Sequence, residues 1–214
     1  MVDISVNVKK ACSVDETAPK RKHVRACIVY TWDHRDSKPF WQSLRITPIQ
    51  TDEVQVFKAL IVIHKVLQEG HQVTLRDAQR NRDFIDGLGK IFHGEGFKGY
   101  GKLIREYDQF LMQKLAFHRK YKEFNGTFEY EEYISLRAVS DPNEGYEAIL
   151  DLMSLQDAID DLQRVIFASI SHDRGSECKI SALVPLLTES YGIYKFVTSM
   201  LRAMHQSTGS DEAL

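Results

Sequence analysis

Cysteine is scarce in this 214-residue chain: Cys12, Cys27 and Cys178 are too few and too scattered for a disulfide framework or a zinc site. Long apolar runs are missing as well. The longest candidates, such as Ala59-Leu60-Ile61-Val62-Ile63, are short core stretches, far below the roughly 18 residues of a membrane span. No signal peptide is expected, because Asp3, Asn7, Lys9 and Lys10 interrupt any apolar leader. These absences point to the cytosol and leave only peripheral membrane contact open. Catalytic patterns are missing too. No Ser-His-Asp spacing, HExxH or Walker loop is found, so an enzyme is not expected, and neither a metal nor a cofactor is implied. What remains is ordinary globular material, 43% hydrophobic and 27% charged, enough for one large domain or two small ones.

Charge is where the chain departs from the ordinary. Its formal net charge is −2, yet Lys9-Lys10, Lys20-Arg21-Lys22-His23 and Arg25 gather near the N-terminus. Between Lys9 and Arg25 six Lys/Arg face only two acids, Asp15 and Glu16. Pro19 is a first-turn signal, which places Lys20 to His23 in the opening turn of a helix. Basic residues are disfavoured there by the helix dipole. A bound polyanion would reverse that loss, since free N–H groups and basic side chains would point at it together. The plainer reading is a solvated helix start. No aromatic residue interleaves the cluster and the whole chain is acidic, so nucleic acid is not the expected partner.

Helical spacing dominates the rest. Helices are expected over Ile4–Cys12, Pro19–Asp33, a short segment carrying Phe40, Trp41 and Leu44, and a fourth capped by Thr51 and closed by Gly70. Further helices are expected over Val73–Asn81, Phe84–Phe92, Tyr100–Phe124, Gly145–Ser171 and Ile180–His205, the last with Pro185 in its first turns or at a kink. Thr127–Ile134 reads as an ordered loop or short helix. With no sustained heptads and no repeat of fixed period, the expected fold is all-α, a superhelical stack of about eight antiparallel helices.

Other candidates weigh less. Gly94-Glu-Gly96-Phe-Lys-Gly99 fits a dinucleotide-binding pattern, but it follows a helix rather than a strand and reads as a flexible interhelical loop. His64 lies among apolar neighbours and reads as a satisfied core histidine. His172-Asp173 reads as a helix terminus. His118-Arg119-Lys120 with Lys122 complements the C-terminal dipole of its helix. Arg76, Arg80 and Arg82, interleaved with Asp77 and Asp83, read as a solvated face.

Lys10, nine residues, then Lys20-x-Lys22-His23 resembles the phosphoinositide motif of ANTH domains. Val56-Phe57-Lys58-Ala59-Leu60-Ile61 with His64 is similar to the fourth-helix signature of that family. Gly99-Tyr100, Ile104-Arg105-Glu106-Tyr107 and Leu111-x-x-Lys114 are similar to its sixth helix. Lys10-Ala11, Glu16, Cys27-Ile28, Phe40-Trp41, His64-Lys65 and Gly70-His71 resemble the huntingtin-interacting-protein-related branch. Ser181-Ala-Leu-Val-Pro-Leu and Tyr191-Gly-Ile-Tyr-Lys195 are most similar to its fungal members, which link endocytic coats to actin.

The resemblance covers essentially the whole chain and implies one ANTH-like domain over residues 1–214, akin to ENTH and VHS folds. It implies binding of phosphatidylinositol 4,5-bisphosphate at an exposed basic tip through Lys10, Lys20, Lys22 and His23. Lys9, Arg21 and Arg25 match only as neighbouring basic residues. It further implies an adaptor in clathrin-mediated endocytosis, peripheral at the inner leaflet of the plasma membrane, at endocytic sites and actin patches. The ENTH domain of an epsin-type adaptor would be its partner, in a lipid-dependent oligomer. Clathrin and actin contacts would lie in regions absent from this chain. The alternative from another class is a helical protein-interaction scaffold whose basic tip binds an acidic peptide.

Overall fold

Glu53–Glu69 is apolar on nearly every side, and such a helix must be surrounded. In the computed structural model, which describes residues 4–129, 142–170 and 176–211, this helix is the axis of the stack. Ten α-helical segments are found among the described residues: α1 (Ile4–Ala11), α2 (Arg21–His34), α3 (Lys38–Ile46), α4 (Glu53–Glu69), α5 (Val73–Arg80), α6 (Arg82–Gly89), α7 (Gly101–Lys120), α8 (Pro142–Ala168), α9 (Ser176–Ser181) and α10 (Leu183–Asp211). The all-α stack is as expected. Helix α4 touches α1, α2, α5, α7, α9 and α10, while α1 packs against α2 and α3, and α8 against α7 and α10.

Several boundaries differ from expectation for local reasons. Asp52, not Thr51, caps α4, its carboxylate accepting from Val54 N at 2.9 Å and Gln55 N at 3.3 Å. Thr51 is spent in a 3₁₀ turn, Ile49–Thr51. The helix expected over Tyr100–Phe124 ends at Lys120, because Tyr121 leaves helical geometry. The last helix is split in two at Ala182, so Pro185 falls in the first turn of α10, where its missing N–H costs nothing. Thr127 and Phe128 form part of an ordered loop, Thr127 N donating to Asn125 Oδ1 at 3.0 Å. Residues 130–134 of that segment, like His172-Asp173, lie outside the described residues.

One polar network crosses the core. Lys114 Nζ lies 2.5 Å from Glu189 Oε1, both side chains fully buried, and donates to Gly126 O at 2.8 Å. His64 bridges Tyr107 Oη and Glu189 Oε2 at 3.0 Å each. Burial lowers the His64 pKa and favours the neutral ring, which donates to Glu189 and accepts from Tyr107. Burial alone would raise the Glu189 pKa, but Lys114 and His64 beside it bring it down to about 2. The expectation of a satisfied core histidine at His64 therefore holds.

Candidate anion-binding tip

α1 and α2 run antiparallel, so the last turn of α1 and the first turn of α2 meet at one end of the stack. Pro19 is buried and sits one residue before Lys20, the N-cap of α2. The basic run therefore begins at the cap itself rather than inside the first turn. Lys20 supplies no side-chain acceptor, and its carbonyl takes His23 N at 2.9 Å and Val24 N at 3.2 Å. A helix start without an acidic cap or acidic first turn keeps unsatisfied N–H groups and an uncompensated positive dipole end.

Lys9, Lys10, Lys20, Arg21, Lys22 and Arg25 are all exposed, and none pairs with an acid among the described residues. Elsewhere Lys98, Lys114 and Lys120 each sit on a carboxylate. The two acids within the segment are turned away. Asp15 lies 3.5 Å from the buried ammonium of Lys58, and Glu16 accepts from Tyr100 Oη at 3.4 Å. Bonds from the Ser13 and Thr17 hydroxyls hold the Asp15 carboxyl well below the usual carboxylate range. Its charge thus stays committed to the scaffold.

That scaffold reaches far along the chain. Lys58 Nζ also donates to Ser13 Oγ at 3.1 Å, and Gln55 Nε2 donates to Cys12 O at 2.8 Å. Cys178 N donates to Glu16 O at 3.2 Å, and Ala18 N donates to Glu177 Oε1 at 3.4 Å. The connection between α1 and α2 is thereby tied to both α4 and α9. Cys12, Cys27 and Cys178 are buried free thiols, and burial raises the first two to about 12 and the third to about 11.

His23 is half-buried, not exposed as the resemblance would suggest. Its Nδ1 lies 2.8 Å from Asn7 Oδ1, a partner on α1 that sequence reading missed. Partial burial, then Lys22, Lys10 and Lys20, lower its pKa. Lys10, Lys20 and Lys22 are thus the cations whose charge acts on His23. Arg21 and Arg25 instead line a groove of about 610 Å³ between α2, α4 and α10, floored by Val24, Ile28, Ile61 and Val184. Lys22 also lines that groove and so connects the two flanks. Lys9 is exposed and is not among the charges that shift His23.

The glycine-rich stretch is ordered, not flexible. Gly94, Gly96 and Gly99 have φ of 61°, 74° and 73°, and the loop folds around the Glu53 carboxylate. Phe97 N, Lys98 N and Tyr100 N all donate to it, the last two at 3.1 Å to Oε2. An internal carboxylate thus occupies the cradle that a phosphate takes in dinucleotide sites. The other basic runs divide as well. His118 is buried, while Lys120 pairs with Asp151 at 2.7 Å. Arg76 and Arg80 are exposed, but the Asp77 between them is buried and accepts from Ser37 Oγ at 2.8 Å.

The sequence profile of the ANTH domain matches residues 3–214, and the chain belongs to that family. It is 61% identical to Protein SLA2 of Saccharomyces cerevisiae over 98% of its length, and 53% identical to Endocytosis protein end4 of Schizosaccharomyces pombe over 99%. The chain spans only 22% and 19% of those two relatives. The expected likeness to fungal members is found.

Among solved structures, one described as the ENTH domain from epsin-2 in complex with phosphatidylinositol 4,5-bisphosphate contains a chain 66% identical to this one. It superposes with a TM-score of 0.93, covering 99% of this chain and 82% of that one. Another, of helical ANTH and ENTH tubules on PI(4,5)P2-containing membranes, matches at 61% identity and TM-score 0.75, over 96% of this chain and 77% of that one. No helix among the described residues is long and apolar enough to cross a membrane.

Proposed function

We propose that residues 1–214 act as a single non-catalytic domain that binds phosphatidylinositol 4,5-bisphosphate through the tip formed by α1 and α2. The observation that carries this reading is the set of six exposed cations, with no acidic partner among the described residues, around an uncapped helix start, with both nearby acids committed elsewhere. Lys10, Lys20, Lys22 and His23 form the headgroup site, with Lys9, Arg21 and Arg25 adding charge at its margins. A bisphosphorylated inositol packs several charges into a small volume, which suits lysines on flexible stems and free helix N–H groups.

Near an anionic leaflet each such cation contributes about 1 kcal/mol. Five of them give about 5 kcal/mol, or roughly three to four decades in partitioning. One domain alone binds modestly, so stable recruitment calls for avidity. The solved structure in which ANTH and ENTH form tubules on PI(4,5)P2-containing membranes supports a lipid-dependent oligomer with an ENTH partner. The endocytic relatives support a role as a peripheral adaptor at the inner leaflet of the plasma membrane. Clathrin and actin contacts belong to the longer protein.

Liposome sedimentation with and without the bisphosphorylated lipid tests the assignment. Replacing Lys10, Lys20, Lys22 and His23 by alanine should abolish lipid-dependent sedimentation while the domain stays folded. Unchanged binding by a folded quadruple variant would refute it. Binding that depends on the cluster but not on the lipid favours the acidic-peptide scaffold instead.

A further inference from the structure

Phe97 has a relative exposure of 104%, although the loop that carries it is held by several hydrogen bonds. The loop hangs from the Glu53 carboxylate by three backbone N–H groups. It is further held by Arg105 Nη1 on Gly94 O at 2.6 Å, Gly101 N on Glu95 O at 2.9 Å and Lys98 Nζ on Asp52 Oδ2 at 2.5 Å. An alanine in place of Gly96 would put its Cβ 2.4 Å from the Glu53 carboxylate. A fixed backbone presenting one bare aromatic ring loses little entropy when that ring is buried by a partner.

The loop stands at the same end of the stack as the basic tip. Glu53, which holds it, lies two residues before Gln55, whose side chain binds Cys12 O. Tyr100, at the loop's end, donates to Glu16 in the α1–α2 connection. That connection carries a second exposed apolar side chain, Val14, 60% exposed and lying in sequence between Lys10 and Lys20. Exposed cations with no acidic partner among the described residues thus share this end of the stack with two exposed apolar side chains, a pairing that suits the interface of an anionic bilayer.

We propose that Phe97, with Val14, enters the headgroup–acyl boundary when the lysines engage the lipid. This rests on the headgroup reading above and deepens it: the cluster selects the lipid, and the two apolar side chains set depth and residence. Lys98 is neutralised by Asp52, so the loop contributes apolar area rather than charge.

The test uses the intact chain and vesicles of neutral lipid, with phosphatidylserine, with or without phosphatidylinositol 4,5-bisphosphate, alongside soluble inositol 1,4,5-trisphosphate. Phe97→Ala should weaken sedimentation with bisphosphate vesicles about tenfold, the scale of one buried aromatic side chain. It should leave affinity for the soluble headgroup unchanged, whereas Lys10→Ala with Lys20→Ala lowers both. A Phe97→Trp variant should gain a blue-shifted emission that brominated lipid quenches, beyond the background of Trp32 and Trp41 in the wild type. Equal vesicle binding by wild type and Phe97→Ala, or no quenching in Phe97→Trp, overturns the insertion while leaving headgroup binding intact. Phe97-dependent vesicle binding that ignores the bisphosphate would overturn the headgroup reading alone. A wild type that binds no vesicle overturns both.

Discussion

Asn7 and His23 meet across the α1–α2 interface, with Asn7 Oδ1 2.8 Å from His23 Nδ1. An amide oxygen can only accept, so the ring proton sits on Nδ1 and Nε2 keeps a free lone pair. The histidine is oriented by its own fold before any ligand arrives.

Its pKa is lowered in the free protein, first by partial burial and then by Lys22, Lys10 and Lys20. A histidine with a depressed pKa favours the fold above its ordinary value and ceases to as pH falls below it, so free-domain stability should decline as pH drops through about 6.5. A bound phosphate reverses the sign, raising the pKa, so binding should take up a proton and tighten from about pH 7.5 to 6. Headgroup protonation opposes this, which makes His23→Gln the control. Identical pH profiles of liposome binding for wild type and His23→Gln would reduce the histidine to a spacer.

The uncapped start of α2 makes a separate prediction. Replacing Lys20, Arg21 and Lys22 with glutamine relieves repulsion from the dipole, so melting without ligand should be unchanged or slightly higher. Soluble headgroup should raise the melting temperature of the wild type and not of that variant. A drop of several degrees in the variant without ligand would show these residues to be structural.

Asp108 is buried, with no hydrogen-bond partner for Oδ1 among the described residues, and burial followed by Asp86 raises its pKa to about 7. A carboxyl with a raised pKa favours the fold at low pH and loses that contribution as pH rises toward 7. Asp108→Asn should therefore melt higher than wild type at pH 8, with the gap narrowing as pH falls below 7 and closing only near pH 4. Parallel melting curves across that range would contradict this.

Lys114 and Glu189 form a pair with no solvent access. Lys114→Met strands a buried carboxylate, at a cost of about 3–5 kcal/mol. For a domain of this size that corresponds to a fall on the order of 10 °C in Tm. Glu189→Leu on the same background should cost less than the sum of the two single changes. Because Glu189 has its pKa lowered to about 2, the pair's contribution should persist through mild acid and fade only as pH falls from about 4 toward 2. Calorimetry of the variants between pH 3 and 7 checks both points.

Local signals carried the helices and the four motif residues, because periodicity and charge clustering are properties of neighbours in sequence. Long-range polar partners were illegible for the same reason. Glu53 reads as a favourable acid in a first turn, yet it is buried and holds a loop 44 positions away. Lys58 reads as one residue of a helix signature, yet its ammonium fastens the α1–α2 connection. Asn7 carries no signal of its own until α1 is laid against His23. The separation of Arg21 and Arg25 from the His23 flank could have been found by placing the basic run on a helix, where residues two apart diverge.

The hydrogen bond from Ala18 to Glu177 joins residues 159 positions apart. A chain emerging from the ribosome completes α1 and α2 early, but their connection gains its last anchor only after α9 has been made. Until then the basic turn lacks its anchors to α9, so membrane competence should be acquired near the end of synthesis of this domain. Nascent chains stopped before residue 176 are therefore expected to bind bisphosphate vesicles more weakly than those released after α10, despite carrying every cation of the tip.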